Sequence, residues 1–263
     1  MGCGTILTYP INSVRNTVTT LSSAPPELET AQPAEIVAWA LGEHRPGRVA
    51  VVTALQREGM VVVDLALRID PGVRIVTIDT GRLPAETQAF LDTVRAHYGR
   101  DIEVRRPAAA AVTEFVRRHG PDAFYIDPEL RVACCALRKV APRDVLLGEL
   151  DCWLTGLRRS QSASRAATPV VDRETEGLTK VNPLVACSAD WVSAYIRDHG
   201  VPEHPLYAEG YTSIGCAPCT RATRPGEDER AGRWWWESGL DTECGMHGRP
   251  ALTRERLTTG VRQ

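Results

Sequence analysis

Four short apolar runs separated by helical stretches constrain this chain more than any other feature. Residues 48–53 read Arg-Val-Ala-Val-Val-Thr, the continuously apolar pattern that a strand covered on both faces requires. Residues 73–78 repeat it, 102–104 supply a shorter strand, and 152–155, Cys-Trp-Leu-Thr, a fourth. Helical periods fall at 33–42, 60–68, 84–97 and 108–119, the last two closed by Gly99 and Gly120. Strand and helix alternate at the spacing of right-handed crossovers, which predicts an α/β fold: an open, mostly parallel sheet with helices on both faces. Ligands in such sheets bind beyond the carboxyl ends of the strands.

The remaining segments have a different texture. Residues 1–32 mix Ser, Thr and Pro without an apolar period and are expected to be a flexible leader; 33–230 form the folded body, and 231–263 a mobile tail. After Gly156 the chain turns to loops, with one helix at 189–199. Over 263 residues, 43 % are hydrophobic and 24 % charged, ordinary values for a globular core, which exclude wholesale disorder and fibrous repeats. Basic and acidic side chains number 31 and 33, so the net charge of −2 does not draw duplex nucleic acid to the molecule as a whole. No apolar run approaches the ~20 residues that span a bilayer, and the start lacks a basic, then apolar, signal pattern. The expectation is a cytoplasmic chain without a membrane or nucleic-acid partner; self-association into a homo-oligomer is left open.

Eight cysteines in such a chain point to metal or redox chemistry, because a reducing compartment keeps thiols free. Cys134 and Cys135 are adjacent, and Cys216-Ala217-Pro218-Cys219 forms a C-x-x-C pair, so four thiolates from two distant segments can converge on one soft centre. Softness alone does not choose between zinc and an iron–sulfur cluster. Arg138 and Lys139 follow the first pair by one helical turn and place cations beside these thiolates. Cys152 and Cys187 are assigned to packing, and Cys3 receives no role. Cys244, in Glu243-Cys244-Gly245-Met246-His247, is polar-flanked and expected to be exposed. His247 and Arg249 favour its thiolate and Glu243 opposes it, so activation calls for a cationic pocket.

Other candidates are single residues. Asp79-Thr80-Gly81 ends the second strand, where Gly81 allows a ligand close to the backbone; Asp79 either meets that ligand or caps the turn. Arg233 precedes Trp234-Trp235-Trp236, three indoles that are costly to expose without a packing or partner role. His97, His119 and His199 precede glycines at helix ends, which explains them without catalysis.

Six segments taken together resemble the assimilatory adenylyl-sulfate reductases of the sulfonucleotide reductase family. They are Asp79-Thr80-Gly81-Arg82-Leu83, Cys134-Cys135-Ala136-Leu137-Arg138-Lys139, Thr155-Gly156-Leu157-Arg158-Arg159, Gly210 to Cys219, Gly232-Arg233-Trp234-Trp235-Trp236 and Glu243 to His247, in family order. The resemblance implies an adenine-nucleotide α-hydrolase-like fold and a [4Fe–4S] cluster on Cys134, Cys135, Cys216 and Cys219. It further implies a nucleophile at Cys244, adenylyl sulfate as substrate, and thioredoxin or a similar dithiol as reductant. Lys139, Arg230 and Arg233 match family cations, with Arg159 and Arg165 expected nearby; Ser162 and Arg165 match a loop near the nucleotide. Both cysteine pairs together favour adenylyl sulfate over its 3′-phosphorylated form. One segment departs: the loop Thr53-Ala54-Leu55-Gln56-Arg57-Glu58-Gly59 has Ala54 where the family usually has Ser. Losing that hydroxyl's hydrogen bond to a charged group costs ~1.5–3 kcal/mol unless Thr53 or backbone N–H groups replace it. Two rival readings are an ATP-dependent sulfur-insertion enzyme, which needs pyrophosphate-binding glycines that this loop lacks, and a zinc-stapled interaction module.

Overall fold

A computed structural model describes residues 25–173 and 177–237. The elements in chain order are α1 (Pro33–Glu43), β1 (Val49–Val52), α2 (Arg57–Ile69), β2 (Arg74–Ile78), α3 (Ala85–Tyr98), β3 (Glu103–Arg105), α4 (Ala109–His119), α5 (Pro128–Cys135), α6 (Ala141–Leu147), β4 (Cys152–Leu154), β5 (Val171–Arg173), β6 (Thr179–Val181) and α7 (Ala189–His199). The sheet runs β3-β2-β1-β4-β6-β5, parallel throughout except for the antiparallel edge strand β5. The expected open, mostly parallel architecture is therefore the observed one.

The unbroken apolar character of β1 has a direct cause. Side chains alternate across a strand. Val49 and Val51 join one core with Met60, Val63, Phe90 and Ile196 from α2, α3 and α7, whereas Ala50 and Val52 join a second with Leu146, Leu147 and Trp153. Both faces are covered, so neither alternate set can be polar. By contrast β5 and β6 carry Asp172, Arg173 and Lys180, lack that signature, and were not anticipated.

The helical run from Pro128 to Leu147 was also not anticipated as such. Asp127 caps its start, accepting from Glu129 N at 2.6 Å with Pro128 in the first turn. Residues Ala136–Val140 form a π turn between α5 and α6. Pro142 lacks the N–H that would bond the Arg138 carbonyl, and a π widening relieves the clash its ring would cause there. Arg138 and Lys139 thus project from a widened turn.

Both expected boundaries lie inside packed structure. Leu28 is buried and Glu29 pairs with Arg159 at 2.8 Å, so contacts to the body begin before residue 33. Past residue 230, Arg233 bridges Thr220, Trp234 is buried, and Glu237 pairs with Arg131 at 2.8 Å. Among the described residues, no helix is long and apolar enough to cross a membrane.

Candidate active site

The strand order reverses between the parallel neighbours β1 and β4, and a cleft of about 1210 Å³, open mouth included, lies beyond their carboxyl ends. The loop after β1 forms one wall. Leu55 holds a left-handed backbone (φ 58°), fixed by its N–H donating to Thr53 Oγ1 at 2.9 Å. A Cβ on Gly59 would stand 2.2 Å from that oxygen, so the glycine is required for the turn. Thr53 lines the cleft beside Ala54, and its hydroxyl keeps a proton to donate. Gln56 ties this loop to the opposite wall, accepting from Ile214 N at 2.9 Å.

The four paired cysteines come together. Cys134, Cys135, Cys216 and Cys219 line one small cavity with Phe124, Arg82, Arg131, Arg138 and Lys139. Burial pushes the Cys219 thiol up to about 12, with neighbouring Cys216 adding to the rise and Lys139 and Arg233 opposing it. Burial also raises Cys134, against the pull of Arg138. The Thr80 hydroxyl lies 3.2 Å from Cys216 Sγ. Among the described residues no three His, Cys, Asp or Glu side chains converge closely enough for a single metal ion. Four thiols around one cavity, with Nε of buried Arg138 lacking a hydrogen-bond partner, form a soft donor set beside a cation that fits an anionic metal–sulfur centre. Cys152 is fully buried in β4, as its packing assignment requires.

Lys139 belongs to both cavities, lining the cysteine site and the cleft. Arg165, Arg230 and Arg233 line the cleft with it. Arg233 is 5 % exposed and stacks over Trp234, its Cζ 4.6 Å from the ring. Its Nη1 reaches Ser213 Oγ only at 3.5 Å, and neither Nε nor Nη2 has a hydrogen-bond partner. Leaving such buried donors unmet costs about 1–3 kcal/mol apiece, which an anion in the cleft would recover. Gly215 makes room: a Cβ there would stand 2.4 Å from Arg233 Nη2.

Four sequence candidates do not line the cleft. Asp79 caps its turn through Gly81 N at 2.9 Å and pairs with Arg106 at 3.0 Å, the structural one of its two expected uses. Gly81 has φ 70°, with its open side toward Arg138. Arg159 is engaged by Glu29 and the Thr168 carbonyl, and the Ser162 hydroxyl meets that of Ser164. Cys244 and His247 lie outside the described residues.

Two features of the cleft escaped the sequence. Arg158 is buried between two carboxylates, Glu58 at 2.8 Å and Glu229 at 3.1 Å. Its partners lie 100 and 71 positions away, a separation that no local motif announces. The second feature is a relay. His204 Nδ1 accepts from Leu206 N, which leaves its proton on Nε2 to donate to Thr87 Oγ1 at 2.9 Å. Thr87 lines the cleft, so its own hydroxyl proton is directed away from the imidazole. Burial lowers the His204 pKa, with Glu86 acting the other way.

Residues 48–222 match the phosphoadenosine phosphosulfate reductase domain family. A protein of Allochromatium vinosum described as adenosine 5′-phosphosulfate reductase is 44 % identical over 219 residues, covering 79 % of this chain and 86 % of the relative. One of the same description from Burkholderia cepacia is 46 % identical over 212 residues, covering 79 % and 83 %. The crystal structure of a phosphoadenylyl-sulfate (PAPS) reductase from Candida auris, a phosphate complex, superposes with a TM-score of 0.64 at 27 % identity. It covers 77 % of this chain and all of that one.

Proposed function

We propose that this chain, which belongs to the phosphoadenosine phosphosulfate reductase domain family, reduces adenylyl sulfate to sulfite and AMP with electrons from thioredoxin or a similar dithiol. The observation that carries the reading is Arg233, a buried guanidinium with two unmet donors in a cleft that it shares with Lys139 and adjoins four cysteines. The names of the relatives supply the substrate class, and sulfate assimilation is the process to which it belongs. Cytoplasmic operation, where such dithiols are kept reduced, is part of the proposal.

The Cys244 thiolate attacks the sulfate sulfur, the bond from that sulfur to the bridging oxygen breaks, and AMP leaves with the electron pair. A thiolate of the dithiol then attacks Cys244 Sγ and sulfite departs. The second thiol closes a disulfide and returns Cys244 to the thiolate. Sulfur falls from the +6 to the +4 state with both electrons taken from the dithiol. An anionic nucleophile approaching an anionic group meets about 4 kcal/mol of repulsion per pair of unit charges 4 Å apart at an effective dielectric of 20. Lys139, Arg165, Arg230 and Arg233 counter it, with guanidinium forks suited to phosphate and sulfate oxygens. His247 would favour the thiolate of Cys244 as an imidazolium three residues away.

Cys134, Cys135, Cys216 and Cys219 would hold a [4Fe–4S] cluster, which would supply a fixed charge and a brace, since the dithiol already brings both electrons. Lys139, at 8 % exposure, would hold its ammonium between that site and the sulfate.

The test incubates purified protein with adenylyl sulfate and reduced thioredoxin. Equal amounts of sulfite and AMP are expected, and Lys139→Ala should slow turnover by roughly 10²–10³-fold, as loss of a transition-state charge does. Consumption of ATP with adenylyl sulfate untouched would overturn the reading in favour of sulfur insertion.

A further inference from the structure

The segment ahead of α1 reaches the cleft at second hand. Pro26–Glu29 form a 3₁₀ turn, and Leu28, 7 % exposed, seats it in the main core. From this fixed turn the Glu29 carboxylate spans two points of the connection between β4 and β5. Oε2 accepts from Arg159 Nη2 at 2.8 Å and Oε1 from Val170 N at 3.1 Å. Arg159 in turn donates its Nε to the Thr168 carbonyl at 2.8 Å, so its side chain draws the returning arm of the loop onto the outgoing one. The Arg159 guanidinium holds the Glu29 carboxyl below its ordinary range, which keeps the bridge ionised at neutral pH. Backbone bonds fix the roots of the loop, from Arg159 N to the Val185 carbonyl and from Asn182 N to that of Val170. The span between the roots carries Gln161 and Arg165, which line the cleft. Gln161 Oε1 accepts from Arg165 Nη1 at 2.5 Å and from Arg158 N at 3.2 Å.

We infer that Glu29 is a positioning residue for the cleft: through Arg159 it clasps the loop at 159–170 and so holds Arg165 where an anionic substrate meets it. The inference rests on the proposed sulfonucleotide reduction only for the identity of that substrate. Among the described residues lining the cleft neither Glu29 nor Arg159 occurs, so loss of the clasp acts through the order of the loop rather than through a lost contact. The pair is open to solvent, 35 % for the Arg159 side chain and 49 % for that of Glu29, and pairs of this kind contribute little to global stability. Its effect is therefore local. A loose loop must be ordered when the ligand binds, at a cost in conformational entropy that the clasp removes in advance. Glu29 lies outside residues 48–222, so the clasp is contributed by the segment that precedes the matched domain.

The experiment uses the full chain as wild type, Glu29→Ala, Glu29→Gln, Arg159→Ala and the Glu29→Ala/Arg159→Ala double variant. Without ligand, amide exchange at 160–168 should be about tenfold faster in Glu29→Ala than in wild type, and saturating AMP should narrow the difference. KM for adenylyl sulfate should rise about three- to tenfold with kcat within about twofold of wild type, since bound substrate restores the loop. Glu29→Gln, which keeps an acceptor, should fall between the two. The double variant should be no worse than the poorer single one, because the two residues act as a unit. Wild-type exchange at 160–168 in Glu29→Ala overturns the inference. So does a fall in kcat and thermal midpoint with KM unchanged, the mark of a merely structural residue. A wild type that turns over no sulfonucleotide brings down the reductase reading, while exchange at 160–168 still decides the clasp.

Discussion

At the scale of single residues, the cleft depends on contacts that one atom can spoil. Gly215→Ala would set a Cβ 2.4 Å from Arg233 Nη2, against a side chain held by Trp234. The variant should lose affinity for AMP by about tenfold or more, as the guanidinium is forced from its position, while far-UV circular dichroism stays unchanged. His204 yields a pH prediction whose sign is fixed. Its folded pKa lies below the ordinary 6.5, so the unfolded chain binds more protons as pH falls. The stability this group contributes is complete above 6.5 and is lost as pH falls toward the lowered value. In thermal unfolding from pH 8 to 5, His204→Asn should therefore show a shallower decline than the wild type. Thr87→Val should weaken AMP binding and Thr87→Ser should restore it, because only the hydroxyl matters; equal affinity in all three would remove Thr87 from the site. The cysteine pairs were readable because the members of each lie within three positions of one another in sequence. The Arg158 carboxylates and the His204 relay were not, since folding alone makes them neighbours.

Among the elements, legibility followed burial pattern. β1, buried on both faces, wrote itself into the chain as an apolar run, whereas β5 and β6, with Asp172, Arg173 and Lys180, left no such trace. The π turn at Ala136–Val140 was hidden for another reason: Pro142 marks a disturbance, yet nothing in composition says that the helix widens rather than ends. The segment after residue 230 is held by the Arg131–Glu237 pair, with both side chains at most 5 % exposed. Glu237→Gln leaves a buried guanidinium without its counter-charge, a loss of about 3–5 kcal/mol at that contact. Faster amide exchange at Trp234–Glu237 is the expected result, and unchanged protection would show that the Arg233–Thr220 bridge and buried Trp234 hold the segment without the ion pair.

For the whole molecule, a near-neutral net charge and a cluster of cleft cations are compatible because those cations are gathered where the strand order reverses. The sequence motifs disclosed that architecture and the four-cysteine site; the carboxylates around Arg158 required the folded chain. Cleft and cysteine cavity share Lys139, so chemistry in one should depend on the integrity of the other. Protein purified without oxygen should show the broad visible absorption of an iron–sulfur cluster, lost in Cys135→Ser together with activity. A colourless, active protein with stoichiometric zinc would contradict the assignment. The most direct measurement of the central claim is mass spectrometry of the intact chain after incubation with labelled adenylyl sulfate and no dithiol. The account predicts a single added sulfonate on Cys244, absent from Cys244→Ser and discharged as sulfite by thioredoxin; turnover of adenylyl sulfate with Cys244 left unmodified would contradict it.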